Sequence, residues 1–270
     1  MQSVLPYLLP IIYFGYLFYK AYKHVNAPAK ASFVQHYGEL DFKYKETLEK
    51  YFTYYQKLDP TEKKEFERRV MNFIRNKKFV PMHGMKGVPA EIKAFIAGAA
   101  VQLTFGMDEI YFVHFTTILV FPKEYYSMAT NSKHKGGVHE EGVIALSWKD
   151  LATGFINDTD SYNVGLHEMA HALSLENRIK NQEYRFLDEE NLKIWGKLAD
   201  REFLAINAGK PTFLRKYATS NRAEFFPVCV EYFFEKPEIF KEKSPNLYNA
   251  LAALLNQDPL QRQNMNTEPV

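Results

Sequence analysis

Three residues in His167-Glu168-Met-Ala-His171 have the types and spacing for metal chemistry. On a helix, residues four apart lie one turn above the other on one face, so both imidazoles can reach a single zinc ion at about 2.0–2.1 Å. Glu168 is displaced by one position, where its carboxylate can reach a coordinated water without becoming a ligand. Hydrolysis calls for that division of labour: the metal lowers the pKa of the water, and the glutamate accepts its proton as it attacks a carbonyl. Apolar Leu166, Met169 and Leu173 and small Ala170 and Ala172 surround the pair, as on a buried helix that presents polar groups only where something binds them. The structural alternative is two histidines on a helix, one stabilised by Glu168 and the other packed.

Zinc catalysis needs a third protein ligand and an open fourth position. Among the later acids Glu224 is the best placed, because Asn221-Arg-Ala-Glu224 leads into an apolar helical run from Phe225 to Phe234. Asn221-x-x-Glu224 equally reads as a capping box, so the residues alone leave both roles open. Glu231 lies two helical turns beyond Glu224, either orienting a ligating histidine or capping a surface. Cys229 falls on a different face and reads as a small core hydrophobe. The remaining histidines lack ligand spacing, although His134 and His139 flank Gly136-Gly137, where either a plain loop or a flap over the cleft is expected.

His-Glu-Met-Ala-His, followed by Tyr217-Ala-Thr-Ser-Asn-Arg-Ala-Glu224-Phe-Phe and Glu231-Tyr-Phe-Phe-Glu-Lys-Pro, resembles the MtfA (Mlc titration factor A) family of zinc-dependent peptidases. More distantly it is similar to the catalytic domain of anthrax lethal factor. The likeness runs from about Leu58 to Pro259 and does not cover residues 1–50. It implies a zincin-like metallopeptidase with one Zn2+ per chain held by His167, His171 and Glu224, with Glu168 as general base. It also implies that Tyr217 stabilises the tetrahedral oxyanion or donates a proton, a role suited to a phenol beside a developing negative charge. Peptide or protein substrates follow from the same resemblance. The family's namesake activity, sequestering a transcriptional repressor of sugar uptake, supplies the rival reading: a weak or inactive zincin-fold protein that holds a regulatory protein partner. Two departures stand out. Pro227 replaces a small residue and removes a hydrogen bond to the Ala223 carbonyl, so the helix is expected to kink or to begin its regular part late. Ser174 replaces an aspartate, removing one outer-sphere partner.

The elements that must position these residues follow from patterning. Asp59 caps, Pro60 opens and Glu62 completes a capping box for a helix carrying Phe66, Val70, Phe73 and Ile74, within a helical stretch from Phe33 to Lys86. A second helix runs from Pro89 or Ala90 to about Phe105. Phe115–Phe121 and Gly142–Trp148 read as strands around a loop or hairpin at 123–141. Gly142–Trp148 is either a core strand or one that binds substrate backbone. From Asp160 to Pro259 the chain reads helical, with Asp158 or Asp160 capping the His167 helix. Helices, a few strands and helices again describe an α+β fold, mostly helical with a small sheet.

Of 270 residues, 34 are basic and 32 acidic, and a net charge of +2 is too small for a protein built to hold nucleic acid. No glycine-rich phosphate loop or G-x-S-x-G elbow is present in the sequence. Residues 1–19 carry no charged side chain, and about 18 such residues in a helix span about 27 Å, close to a bilayer core of roughly 30 Å. A transmembrane anchor through residues 4–19 is expected, with Lys20 and Lys23 favouring a cytoplasmic catalytic domain. A terminal helix packed on its own domain and a signal peptide are the alternatives. The expected organisation is an anchor with basic flank over 1–26, a helical connecting region over 27–57, the metallopeptidase domain over 58–260 and a flexible tail over 261–270.

Overall fold

A computed structural model describes residues 34–36, 38–108, 110–128, 130–179 and 187–261. The hydrophobic segment 4–19 and nearly all of the polar tail lie outside the described residues, within which no helix is long and apolar enough to cross a membrane.

The chain opens with α1 (Phe42–Tyr51), the single turn α2 (Thr53–Gln56) and α3 (Pro60–Asn76). The α3 start is the predicted capping box: Asp59 accepts from the backbone of Thr61 and Glu62, and Glu62 accepts in return from the Asp59 N–H. Next come β1 (Lys78–Pro81) and α4 (Ala90–Thr104). Helix α4 is buried along nearly its whole circumference, the behaviour of a helix that is apolar on every side. Around it the aromatic residues collect: Phe95 packs against Phe52, Trp148 and Phe155 at ring separations of 5.3–5.6 Å. Leu40, Leu48, Phe52 and Tyr55 lie in the same core as the residues that follow.

Strands β2 (Thr117–Phe121), β3 (Tyr125–Ser127), β4 (Ser132–His134), β5 (Gly136–His139) and β6 (Val143–Ser147) come next. The main sheet has the order β1-β2-β6-β5, parallel except for β5, which runs antiparallel to β6. Strands β3 and β4 form a separate hairpin. The 123–141 region is thus a hairpin plus an edge strand, not a plain loop. Strand β1 falls inside the stretch predicted helical; its four residues lie on the sheet edge, too short for a period-2 pattern. Strand β6 is buried throughout and has neighbours on both sides, so it is a core strand and cannot add a substrate strand. The free edge on that side is β5.

Helix α5 (Trp148–Ile156) leaves β6 directly, and α6 (Val164–Ile179) carries the histidines. Asn163, not Asp158 or Asp160, caps α6: its Oδ1 accepts from the Leu166 N–H at 3.0 Å. Gly165 lets α6 settle closely, since a Cβ there would fall 2.8 Å from Leu151, 2.9 Å from Phe155 and 3.2 Å from Ala99. Helix α7 (Glu189–Asn207) and two 3₁₀ turns, Lys216–Thr219 and Arg222–Glu224, lead to α8 (Phe225–Glu235), α9 (Pro237–Lys243) and α10 (Pro245–Leu255). The described chain is mostly helical with a small sheet, the α+β class read from the sequence.

Candidate metal centre

Helix α6 and the turn before α8 bring three donors together. His167 Nε2 lies 3.0 Å from Glu224 Oε2, His171 Nε2 lies 3.2 Å from the same oxygen, and the two Nε2 atoms are 3.2 Å apart. Helical spacing places the histidines. Glu224 is placed by the 3₁₀ turn, where Asn221 Oδ1 accepts from the Ala223 N–H and leaves the Glu224 side chain free of capping. Pro227 does no harm here. Because α8 begins at Phe225, the proline sits in the first turn, where a missing N–H takes nothing from the helix. The regular helix thus begins just after Glu224, which closes the preceding 3₁₀ turn.

The electrostatics show what this donor set demands. Burial opposes a charge on His167, yet the Glu224 and Glu231 carboxylates push its pKa up to about 10. Burial would likewise raise Glu224, but the two histidines hold its carboxyl well below the usual range. Two imidazole nitrogens and a carboxylate oxygen converge here, a donor set of the kind that binds a divalent ion. His167, His171 and Glu224 thus form a group that could hold a metal ion, their donor atoms all within 4.8 Å of one another.

Behind His167 stands Glu231, which is 1% exposed. Its Oε1 lies 2.6 Å from His167 Nδ1, and its Oε2 accepts from the Asn163 N–H at 2.6 Å. Of the two roles open to Glu231, the structure places it beside the histidine. Arg215 donates to both of its oxygens, from Nη2 to Oε1 at 2.5 Å and from Nη1 to Oε2 at 3.1 Å. Sequence reasoning misses Arg215 and Asn163. An N-cap signal marked Asn163, just before Val-Gly-Leu, while nothing local marks Arg215. Among the described residues no hydrogen bond reaches His171 Nδ1, in keeping with serine at position 174.

One turn further along α8, Glu235 accepts from the Ser161 N–H at 2.8 Å. Burial, with Glu231 adding repulsion, pushes its pKa up to about 8 against the hydrogen bonds that oppose it. The folded chain therefore keeps a proton on Glu235 between about pH 4.5 and 8 that the unfolded chain releases, so stability falls as pH rises through that window. Glu235→Gln is expected to flatten this decline, raising Tm relative to wild type at pH 8 but not at pH 4.5. Parallel melting curves at the two pH values check it.

Glu168 follows His167 on α6 and packs against the sheet edge. It is buried, accepts no hydrogen bond from the described residues, and burial raises its carboxyl above the usual range against the pull of the two histidines. The neighbour is β5: a Cβ on Gly136 would lie 2.5 Å from Glu168 Cγ. The Tyr125 hydroxyl comes within 3.0 Å of where a Gly137 Cβ would be. Gly136→Ala is expected to shift Glu168 and, on the peptidase reading proposed below, to lower kcat/KM about 10- to 100-fold with metal content unchanged. Steady-state kinetics with metal analysis would decide it; an unaltered kcat/KM refutes the close fit. Tyr217 is half exposed on the other side, its ring 5.9 Å from that of His167. Partial burial and the Glu224 carboxylate push its pKa up to about 12, so it is a hydrogen-bond donor at any ordinary pH.

A His/His/Glu group that could hold a metal ion, with a buried glutamate beside it on the same helix, is an arrangement that a metallopeptidase can use. The glucose-regulated metallo-peptidase M90 family model matches residues 28–255, and the chain belongs to that family. It is 29% identical over 209 residues to Mlc titration factor A of Edwardsiella ictaluri, covering 70% of this chain and 78% of that protein. It is 24% identical over 223 residues to an uncharacterized Synechocystis protein, covering 77% and 81%. With Mlc titration factor A of Escherichia fergusonii the identity is 23% over 236 residues, covering 78% and 85%. The matched region extends further toward the N-terminus than the resemblance read from motifs.

Proposed function

We propose that the chain is a zinc-dependent peptidase. The observation that carries this reading is the convergence of His167, His171 and Glu224 within 4.8 Å, with buried Glu168 alongside on the same helix. One zinc ion, held by those three side chains, would supply polarisation of the scissile carbonyl and a lowered pKa for water. Glu168 accepts the proton of the attacking water and returns it to the departing amine, its raised pKa suiting both transfers. Tyr217 donates a hydrogen bond to the developing oxyanion. The free edge of β5 takes the substrate backbone as an added strand, bare at Gly136 and Gly137 so that the backbone can come close to Glu168. Full-length protein is expected to carry one zinc per chain and to cut peptides; a chain free of zinc and without hydrolysis sinks the proposal.

The name of the relatives supports a second reading, in which the chain captures a regulatory protein. Capture of that partner surviving His167→Ala, with no peptide cut by wild type, would favour it. Residues 4–19 are further proposed to tether the chain to a membrane with the catalytic domain on the cytoplasmic side, on the strength of their uncharged composition and the lysines that follow. Cell fractionation with and without residues 1–26 checks this; equal recovery in the soluble fraction refutes it.

A further inference from the structure

We propose that Arg215 is a positioning residue of the metal centre, acting through Glu231 on His167. The inference rests on the reading that His167, His171 and Glu224 hold zinc. Glu231 is nearly inaccessible, and among the described residues its only side-chain partner besides the arginine is the imidazole of His167, whose other nitrogen faces the proposed metal. A carboxylate charge buried this far is costly unless it is paired and hydrogen-bonded. Arg215 supplies it as a fork, with Nη2 2.5 Å from Oε1 and Nη1 3.1 Å from Oε2. Two parallel bonds fix the plane of the carboxylate as well as its place. With that plane fixed, Oε1 accepts from His167 Nδ1 at 2.6 Å, which leaves Nε2 facing Glu224 and His171.

The same guanidinium reaches further. Nη1 also donates to the Ser161 carbonyl, on the loop that enters α6 with Ser161 in the left-handed region at φ 63°. That loop is bound to Glu231 as well, through the Asn163 N–H. The Arg215 guanidinium carbon lies 5.0 Å from the Tyr162 ring centre and 5.9 Å from that of Tyr217. One side chain therefore joins the carboxylate behind His167, the start of the histidine helix and the turn that carries Tyr217. A lysine could bring the charge but not the fork.

Zinc affinity of the full-length protein, measured by competition with a chromophoric chelator, tests the assignment without reference to turnover. Arg215→Met is expected to weaken zinc binding about 10-fold, and Glu231→Gln about 10- to 100-fold. Because the arginine acts through the glutamate, the double variant is expected to bind zinc about as well as Glu231→Gln alone. Arg215→Lys should fall between wild type and Arg215→Met. Zinc affinity in Arg215→Met within about twofold of wild type, or losses that multiply in the double variant, would overturn the proposal. If Arg215→Met does not fold, Arg215→Lys decides: affinity equal to wild type overturns the fork. A wild-type chain that takes up no zinc overturns the metal reading itself, whereas a zinc-binding wild type with an indifferent Arg215 overturns this inference alone.

Discussion

Replacing Glu168 with glutamine is expected to lower kcat for peptide hydrolysis by about 10³- to 10⁴-fold while zinc stays at one per chain. Glutamine keeps the shape and the hydrogen-bonding oxygen but cannot accept the proton of water. Glu168 lies outside the His167, His171 and Glu224 group, so metal affinity has no reason to change. Nor does the fold, because the carboxylate accepts no hydrogen bond from the described residues that the amide would forfeit. Burial disfavours the charged carboxylate, so the neutral variant is expected to melt no lower than wild type at neutral pH. Single-turnover hydrolysis, zinc analysis and a melting curve on one preparation separate the three effects. Activity within about tenfold of wild type would mean that some other group takes the proton.

How far the sequence discloses this site depends on how local each interaction is. His167 and His171 are legible because a helix brings residues four apart together whatever surrounds it. Glu224 lies 57 residues on from His167; its place before an apolar run marks it, but a capping box explains the same pattern, and the resemblance is what favours the ligand role. Its aim depends on a 3₁₀ turn followed by a helix beginning at Phe225, which patterning resolves poorly. Arg215 is less legible still, since its partner is 16 residues away and its function arises from the burial of Glu231. Gly136 looks like a loop residue until the β5–β6 register sets it against Leu146 and brings it under Glu168. The sheet was partly legible: β2 and β6 have buried apolar runs, while β1 and β5 are short edge strands whose residues answer to neighbours and not to a period. Asn163 prevailed over Asp158 and Asp160 as the cap because Glu231 fixes its backbone N–H at the helix start.

Removing one donor should act on the metal itself. His171→Ala is expected to weaken zinc binding by about 3–4 kcal/mol, roughly 10²- to 10³-fold in Kd, and to bring hydrolysis to background at limiting zinc. His171 suits this test better than His167. The latter is tied to Glu231 through Nδ1, so its loss would also strand a buried carboxylate, whereas no described residue bonds to Nδ1 of His171. The fold should survive, since Glu224 keeps His167 Nε2 at 3.0 Å. The metal-free wild type adds a pH signature. With His167 raised to about 10 from 6.5, the stability that its proton contributes is complete below pH 6.5 and lost as pH rises through about 10. Zinc must displace that proton, so metal uptake near pH 7 is expected to release about one proton per chain, and apparent affinity should rise about tenfold per pH unit. Calorimetry in buffers of different ionisation enthalpy reads the proton directly. Full zinc occupancy of His171→Ala at wild-type affinity would place the ion elsewhere than between the two histidines and Glu224.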